Sequence, residues 1–180
     1  YNPDAPPVIN PYHSGNAWFV ENPVMAANAN EEISAIKNLD PAHSAIIDRQ
    51  FGDLVPAGSY PVENGDTISL VSYQPNELLY KYSAGSEKLV VFSEIYYPAG
   101  WKCFVDNIET PYFRANYVLR AMVAPAGEHE IRFSFEPESF ATGNRVSLAG
   151  SILLILLTGG YLVSRLVRKS KSRPVNGTSQ

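Results

Sequence analysis

The central part of the chain consists of short apolar runs that predict β-strands. In His129–Phe135 the residues Ile131, Phe133 and Phe135 alternate with polar ones, as expected for a sheet with one solvent-facing side. Lys88–Ser93 is instead almost wholly apolar, which indicates a central strand. The two patterns together predict a layered β structure with a substantial core.

Turn signals separate the other predicted strands. Asp106-Asn107 is a two-residue hairpin turn, and Pro125–Glu128 is a second turn. The strands that these and similar signals delimit are Ser44–Asp48, Thr67–Tyr73, Glu77–Ser83, Trp101–Val105, Ile108–Tyr112 and Tyr117–Ala124. Short strands at this spacing predict a mainly β domain, either a β-sandwich or a jelly roll.

One helix is predicted before the strands. Asn28 or Asn30 can serve as its N-cap, and the acidic pair Glu31-Glu32 suits the positive end of the helix dipole. Asp40-Pro41 ends the helix. Its expected apolar stripe consists of Ile33, Ile36 and Leu39.

The C-terminal part predicts one transmembrane helix. No charged residue occurs between Val146 and Ser164, and a helix of that length is about what a bilayer core of roughly 30 Å requires. A buried core helix is the alternative, but a soluble helix this long normally keeps a polar stripe. The few polar residues in this one are Ser147, Ser151, Thr158 and Tyr161. A membrane span is therefore the favoured interpretation.

Charge is divided sharply around the span. All 18 Asp and Glu precede it with nine of the 14 Lys and Arg, whereas the other five basic residues lie from Arg165 onward. Because basic flanks stay in the cytoplasm, the acidic domain is predicted to lie outside it. Such a domain does not suit nucleic-acid binding. The basic tail either acts as a stop-transfer anchor or also contacts anionic lipid.

These observations divide the chain into four parts: a proline-rich linker (1–14), an extracytoplasmic domain (15–140), the span (146–164) and a basic tail (165–180). The domain must have been exported, yet no signal sequence or earlier span precedes it. We therefore expect the chain to be the C-terminal piece of a longer polytopic protein. Small residues in the span indicate packing against upstream helices rather than a lone anchor, namely Gly150, Ser151, Gly159 and Gly160.

No catalytic, cofactor-binding or metal-binding constellation is evident. Cys103 is the single cysteine and reads as a small buried hydrophobe in a strand. The three histidines lack metal-ligand spacing, and the carboxylates are dispersed without an Asp-x-Asp pair. We expect no catalytic residue and no cofactor in this chain, which disfavours a self-contained hydrolase.

Aromatic and charged residues around the loop after Lys88–Ser93 form a candidate glycan-binding site. Apolar sugar faces stack on aromatic rings, and hydroxyls bond to charged groups. The candidate residues are Glu94, Tyr96, Tyr97, Trp101, Arg114, Asn116 and Arg120. The alternative is a packed β-corner, in which Tyr96 and Trp101 lie in the core and Glu94 pairs with an arginine.

Several motifs resemble the C-terminal end of the bacterial YfhO family of membrane proteins. The segments that carry the resemblance are Gly15–Val20, Ser93–Pro98, Gly100–Lys102, Val105-Asp106, Tyr112–Ala121 and Pro125–His129. The resemblance covers the chain from about Asn10 through the span. The most specific block reads RANYVLRA, after YYPAGWK.

The resemblance implies a polytopic parent similar to GT-C glycosyltransferases, which transfer sugar from a polyprenyl-phosphate donor outside the membrane. The presumed catalytic acid of that family lies in an early loop that this sequence does not contain. The expected role is a non-catalytic C-terminal domain and last span of a cell-envelope glycosyltransferase in the bacterial cytoplasmic membrane. Its expected partners are the bilayer, the upstream helices and an envelope glycan. The alternative is a structural, protein-interaction or glycan-binding module on a membrane-anchored surface protein.

Overall fold

The computed structural model describes residues 13–171. Contacts divide the chain into a β-rich unit and a helical unit, which meet between Glu136 and Pro137. Most of the predicted linker (1–12) and most of the predicted basic tail (172–180) lie outside the described residues.

Eleven strands and two α-helices form within residues 13–171, together with the 3-10 helix Arg49–Leu54. The helices are α1 (Ala29–Ile36) and α2 (Glu138–Lys171). The strands are β1 (Ala17–Val20), β2 (Asn22–Ala26), β3 (Ser44–Asp48), β4 (Thr67–Gln74), β5 (Glu77–Ala84), β6 (Lys88–Ile95), β7 (Trp101–Val105), β8 (Ile108–Glu109), β9 (Phe113–Ala115), β10 (Leu119–Ala124) and β11 (Gly127–Phe135).

The strands form two sheets, and the mainly β prediction is confirmed. The first sheet has the order β1-β6-β10-β9-β3-β2, and the second has the order β4-β5-β11-β7-β8. Side chains from both sheets share one buried core, including Phe92 and Met122 from the first sheet and Tyr80, Ile131 and Phe133 from the second. The two sheets therefore pack face to face, as in a β-sandwich.

The first sheet is buried on both faces except at its edge strand β2, which is mostly exposed. Val90 and Phe92 of β6 enter the core between the sheets, whereas Leu89 and Val91 enter a second core on the opposite face. Val55, Tyr60 and the 3-10 helix belong to the chain segment that covers this second core. Burial on both faces explains why β6 is apolar without alternation. Its predicted central position is confirmed, since β1 and β10 flank it.

The sequence patterns gave no indication of β1 and β2. β2 pairs in parallel with β3, and α1 makes the crossover between them. A parallel pair requires such a crossover, because a tight turn can join only antiparallel strands. β2 contains Pro23 and a mixture of exposed and buried positions, which hides it from pattern analysis.

The position of α1 was predicted, but its buried face was not. The Asn28 side chain caps the helix as expected, accepting hydrogen bonds from the backbone N–H groups of residues 30 and 31. The predicted apolar stripe is wrong, since Ile33 and Ile36 are exposed and Leu39 lies beyond the end of the helix. Glu32 is the fully buried residue. The helix therefore meets the sheet through a charged side chain.

The hairpin predictions hold where turn chemistry is local. Asp106 and Asn107 both have positive φ, of 48° and 68°, as a two-residue hairpin turn requires. The predicted strand Ile108–Tyr112 is too long, since β8 ends at Glu109 and the chain then passes through Pro111. The predicted strand Tyr117–Ala124 begins two residues later, because residues 116 and 117 form the turn between β9 and β10.

The last helix is longer than the predicted span. α2 contains the segment Thr142–Arg165, which is long and apolar enough to cross a membrane. The predicted span of 146–164 marked only the charge-free part. Backbone hydrogen bonding continues the helix beyond both of its limits, past Arg145 on one side. Every described side chain of the segment is exposed.

A buried ion pair closes one end of the sandwich. Lys88 at the start of β6 is fully buried, and its Nζ lies 2.7 Å from Oδ2 of Asp66. The same ammonium donates to the Pro61 carbonyl and to the Ser86 hydroxyl. The Asp66 carboxylate also accepts the N–H groups of residues 63 and 85. Hydrogen bonding to Lys88 is the main reason that the pKa of Asp66 is lowered to about 2.

Replacing Asp66 by Asn should strongly destabilise the β-rich unit, because the Lys88 ammonium stays buried without a counter-charge. We expect a loss of about 3–5 kcal/mol in the free energy of unfolding. The measurement is chemical unfolding of the full chain in detergent micelles, followed by tryptophan fluorescence. Asp53→Asn, at an exposed position, is the control and should change stability by about 0.5 kcal/mol or less.

The pH dependence follows from the lowered pKa of Asp66. The contribution of Asp66 to the free energy of unfolding should be complete above the ordinary pKa of 3.8 and should disappear as pH falls through about 2.

Equal losses of stability in the Asp66→Asn and Asp53→Asn variants would contradict the role of the Lys88–Asp66 pair.

Candidate functional site

The seven candidate residues lie at one end of the sandwich, where β6 ends, β7 begins and β9 turns into β10. Trp101 pairs with Phe135 at the end of β11, and the N–H of Tyr96 donates to the Val118 carbonyl across the gap between β6 and β10. This end of the sandwich is thus formed by the β6–β7 and β9–β10 connections together with the end of β11.

Arg114 makes internal ion pairs. Its Nη2 lies 3.0 Å from Oε2 of Glu32 and 3.4 Å from Oδ2 of Asp48. Glu32 comes from α1 and Asp48 from β3, so the guanidinium links the helix to the sheet. Both contacts use Nη2 of Arg114, whereas its buried Nε has no hydrogen-bond partner among the described residues.

Asn116 is committed to the backbone. Its side-chain Oδ1 accepts the N–H of Ile46 at 2.8 Å, and its own N–H donates to the Ile46 carbonyl at 2.8 Å. Asn116 has a positive φ of 48°, a conformation that asparagine tolerates better than most residues. The residue therefore fastens the β9–β10 turn to β3.

Glu32 is the central residue of this network, a role that its position in the first helical turn did not predict. Besides Arg114, its carboxylate accepts the N–H of Tyr117 at 2.6 Å. The sequence placed Glu32 in the first helical turn, where a carboxylate needs no partner beyond the helix dipole. An acidic residue on the face of α1 that packs against the sheet needs a partner inside the protein. That need was the sequence signal that could have indicated the buried ion pair.

Arg120 is buried between two aromatic rings. Its guanidinium carbon lies 4.3 Å from the centre of the Trp101 ring and 5.0 Å from that of Phe133, and its Nε donates to the Ile95 carbonyl at 3.0 Å. Desolvation lowers the pKa of Arg120. Burial likewise raises the pKa of Glu94, and the charge of Arg120 partly opposes that rise.

The aromatic candidates divide into packed and exposed residues. Tyr96 packs edge-on against Phe51 and Tyr112, at centroid distances of 5.8 and 5.5 Å, and burial raises its pKa. The half-buried Trp101 ring packs against the Phe135 ring, at a centroid distance of 5.3 Å. Tyr97 is the exposed member of the seven. Tyr96 and Trp101 thus pack against other rings as the β-corner alternative expects, but both stay half-buried, and within residues 13–171 Glu94 forms no ion pair with an arginine.

The chemistry available at this end of the sandwich is limited. Within residues 13–171 no group of three or more His, Cys, Asp or Glu side chains is arranged to hold a metal ion. Burial raises the pKa of the Cys103 thiol to about 12, so it is a poor nucleophile at neutral pH. The arrangement provides ion pairs and aromatic packing that hold the end of the sandwich together.

A polar cleft of about 480 Å³ lies at the other end of the second sheet, where His129 and Asp106 meet. Nδ1 of His129 lies 2.6 Å from Oδ2 of Asp106, and its Nε2 lies 3.0 Å from the Ala126 carbonyl. Because both ring nitrogens face acceptors, the imidazolium form satisfies both contacts. Asp106 raises the pKa of His129, and bonds from Glu130 N–H and His129 lower the pKa of Asp106.

In comparisons with known proteins, the chain matches no family model and shows no significant similarity to a curated protein or a solved structure. Its functional interpretation therefore depends on the geometry described above, and membership of the YfhO family stays a prediction.

Replacing Glu32 by Gln should loosen α1 from the first sheet. The neutral amide leaves the buried edge of Arg114 with Asp48 as its remaining carboxylate, and we expect a loss of about 3 kcal/mol in stability. Hydrogen exchange of the full chain in micelles measures the effect, which should concentrate in α1 and in the β9–β10 turn. The control is Glu31→Gln, an exposed neighbour, with an expected loss of about 0.5 kcal/mol or less. Similar exchange rates in the two variants would argue against the network.

The His129–Asp106 pair should give a measurable pH dependence. The folded pKa of His129 is raised above 6.5, so its stabilisation is complete below that value and disappears as pH rises through the folded pKa. The Asp106 contribution is complete above 3.8 and disappears as pH falls through the lowered pKa.

The pair should therefore stabilise the fold most between about pH 4 and 6.5, by about 1 kcal/mol or less at this partly exposed position. Titration of the His129 ring by NMR tests this. A His129 pKa at or below 6.5 would contradict the ion pair.

Proposed function

We propose that the chain is the non-catalytic extracytoplasmic C-terminal domain and last transmembrane helix of a YfhO-like polytopic membrane protein. The parent would be a polyprenyl-phosphate-sugar-dependent glycosyltransferase acting on cell-envelope glycans. The observation that carries this proposal is the direct succession of a two-sheet β unit and an apolar helix, with Glu136 and Pro137 between β11 and α2.

The composition of α2 supports membrane anchoring. The 24 residues of Thr142–Arg165 correspond to about 36 Å of helix, enough for a bilayer core of roughly 30 Å. Exposed leucines and isoleucines surround the helix without a polar stripe. Water is a poor solvent for such an apolar surface. Basic residues follow from Arg165 onward, which favours a cytoplasmic C-terminus.

The candidate site supports an accessory role. Arg114 and Asn116 are bound to α1 and β3, and Arg120 is buried between aromatic rings. A stable outer domain that supports catalysis by the parent protein is consistent with this arrangement.

The same internal contacts also favour a second candidate, a structural or protein-interaction module that binds no glycan. The two candidates differ at Tyr97, the exposed aromatic of the predicted site. In calorimetric titration of the full chain in micelles with envelope glycan, binding that Tyr97→Ala abolishes would favour glycan recognition. Tyr73→Ala, which removes another exposed tyrosine, is the matched control. Absence of binding by the unaltered chain would favour the structural module.

Topology in native bacterial membranes tests the main proposal. Antibodies against the β unit should detect a protein much larger than the 19.8 kDa of this chain that resists carbonate extraction. Protease should degrade the β unit in spheroplasts but not in inverted vesicles, because we expect it outside the cytoplasm. A protein released by carbonate would contradict the anchor, and protection in spheroplasts would contradict the orientation. A mass near 19.8 kDa would contradict the polytopic parent.

A further inference from the structure

Four exposed apolar side chains border the end of the sandwich that contains the candidate site. We call them the apolar rim: Ile95, Tyr97, Tyr117 and Val118, which are 70%, 55%, 37% and 46% exposed. Tyr73, 61% exposed, lies beside the β4–β5 turn at the same end. Clusters of large exposed hydrophobic side chains mark interaction surfaces, whereas single exposed ones are ordinary.

The rim residues lie together because two connections are joined by backbone pairing. Ile95 is the register partner of Leu119, and the Tyr96 N–H donates to the Val118 carbonyl at 2.7 Å. Tyr97 follows this bond on one connection, and Tyr117 precedes it on the other. The four side chains therefore belong to one continuous edge.

Internal contacts hold the rim in place. Tyr117 has a φ of +71°, directly after Asn116 at +48°, and two successive left-handed residues are unusual when one carries a bulky side chain. The carboxylate of Glu32 fixes this turn by accepting the Tyr117 N–H, and Arg114 lies 5.6 Å from the centre of the Tyr117 ring. Buried ion pairs thus maintain a strained turn that presents a tyrosine to solvent.

The rim borders the same end of the sandwich from which the chain leaves for α2. Phe135, the last residue of β11, pairs with Trp101, and the Glu136 N–H donates to the Gly100 carbonyl at 2.6 Å. From Phe135 to Glu138 the extended chain can span at most about 11 Å. The four further helical residues to Thr142 add about 6 Å. The covalent chain alone therefore keeps this end of the sandwich near any bilayer that α2 crosses.

We propose that the apolar rim inserts into the boundary between lipid headgroups and acyl chains of the bilayer that α2 crosses. Tyrosine is enriched at this boundary because its ring is apolar and its hydroxyl remains hydrated. Ile95 and Val118 supply aliphatic surface between the two tyrosines. The short covalent connection to α2 favours lipid as the binding partner of the rim. It keeps the rim close to the membrane in every copy of the protein. The inference rests on the proposed membrane-spanning role of α2.

A fluorescence depth measurement tests the inference. The full chain carries one introduced cysteine, is labelled with an environment-sensitive maleimide dye, and is placed in lipid nanodiscs containing lipids with a nitroxide near the headgroup. The native Cys103 is 1% exposed and burial raises its pKa to about 12, so the dye labels the introduced thiol. Ile95→Cys and Val118→Cys report on the rim.

The matched control is Ile108→Cys. Ile108 is 73% exposed, like Ile95, but it pairs with Val105 beside the β7–β8 turn, away from Trp101 and Phe135. We expect the nitroxide lipids to quench the dye at positions 95 and 118 at least threefold more strongly than at 108. Equal weak quenching at all three positions would overturn the inference and leave a protein partner as the occupant.

A probe in the anchor separates this inference from the proposed function. The dye at Leu154→Cys, at the centre of the apolar segment, should be quenched strongly by lipids with the nitroxide deep in the acyl chain. Quenching at 154 without quenching at 95 and 118 would overturn the rim inference alone. Absence of quenching at 154 would overturn the membrane span, and with it both proposals.

Discussion

Burial of the six-stranded sheet on both faces is the constraint on which the rest of the structure depends. Such a sheet leaves little solvent for charged side chains, so a charge buried in it needs a partner inside the protein. Lys88 finds Asp66, and Arg114 finds Glu32 and Asp48. Arg120 is held by two aromatic rings and a backbone carbonyl. Asp66 lies in a loop and Glu32 in α1, so these two partners fasten their segments to the sheet.

The same constraint changes the interpretation of the candidate site. Arginines, an asparagine and aromatic rings near a loop have the composition of a ligand-binding surface. In the structure most of these groups form contacts within the protein, since Arg114 binds Glu32 of α1 and Asn116 binds the backbone of β3. Exposed apolar side chains, such as Ile95 and Tyr97, lie beside them at the surface. Contacts within the protein therefore account for much of the polar composition of this region of the sequence.

Sequence patterns predicted the later strands well because their information is local. Alternation in β11, the Asp106-Asn107 turn and the apolar run of β6 each depend on residues that are close in sequence. β1, β2 and β9 were missed, since they are short and gain their pairing from distant segments. For the candidate site, the sequence predicted which residues gather at one end but not which of them stay accessible.

The sequence by itself determined the order of the main elements, the apolar segment of α2 and the division of charge around it. These properties follow from hydrophobicity and chain direction, which need no tertiary contact. Only the tertiary structure decided that Glu32 is buried while Ile33 and Ile36 are exposed. The physical reason is that the partner of Glu32, Arg114, lies 82 residues away. The Glu32 carboxylate is buried because a distant strand supplies its counter-charge. The residues close to Glu32 in sequence do not indicate that contact.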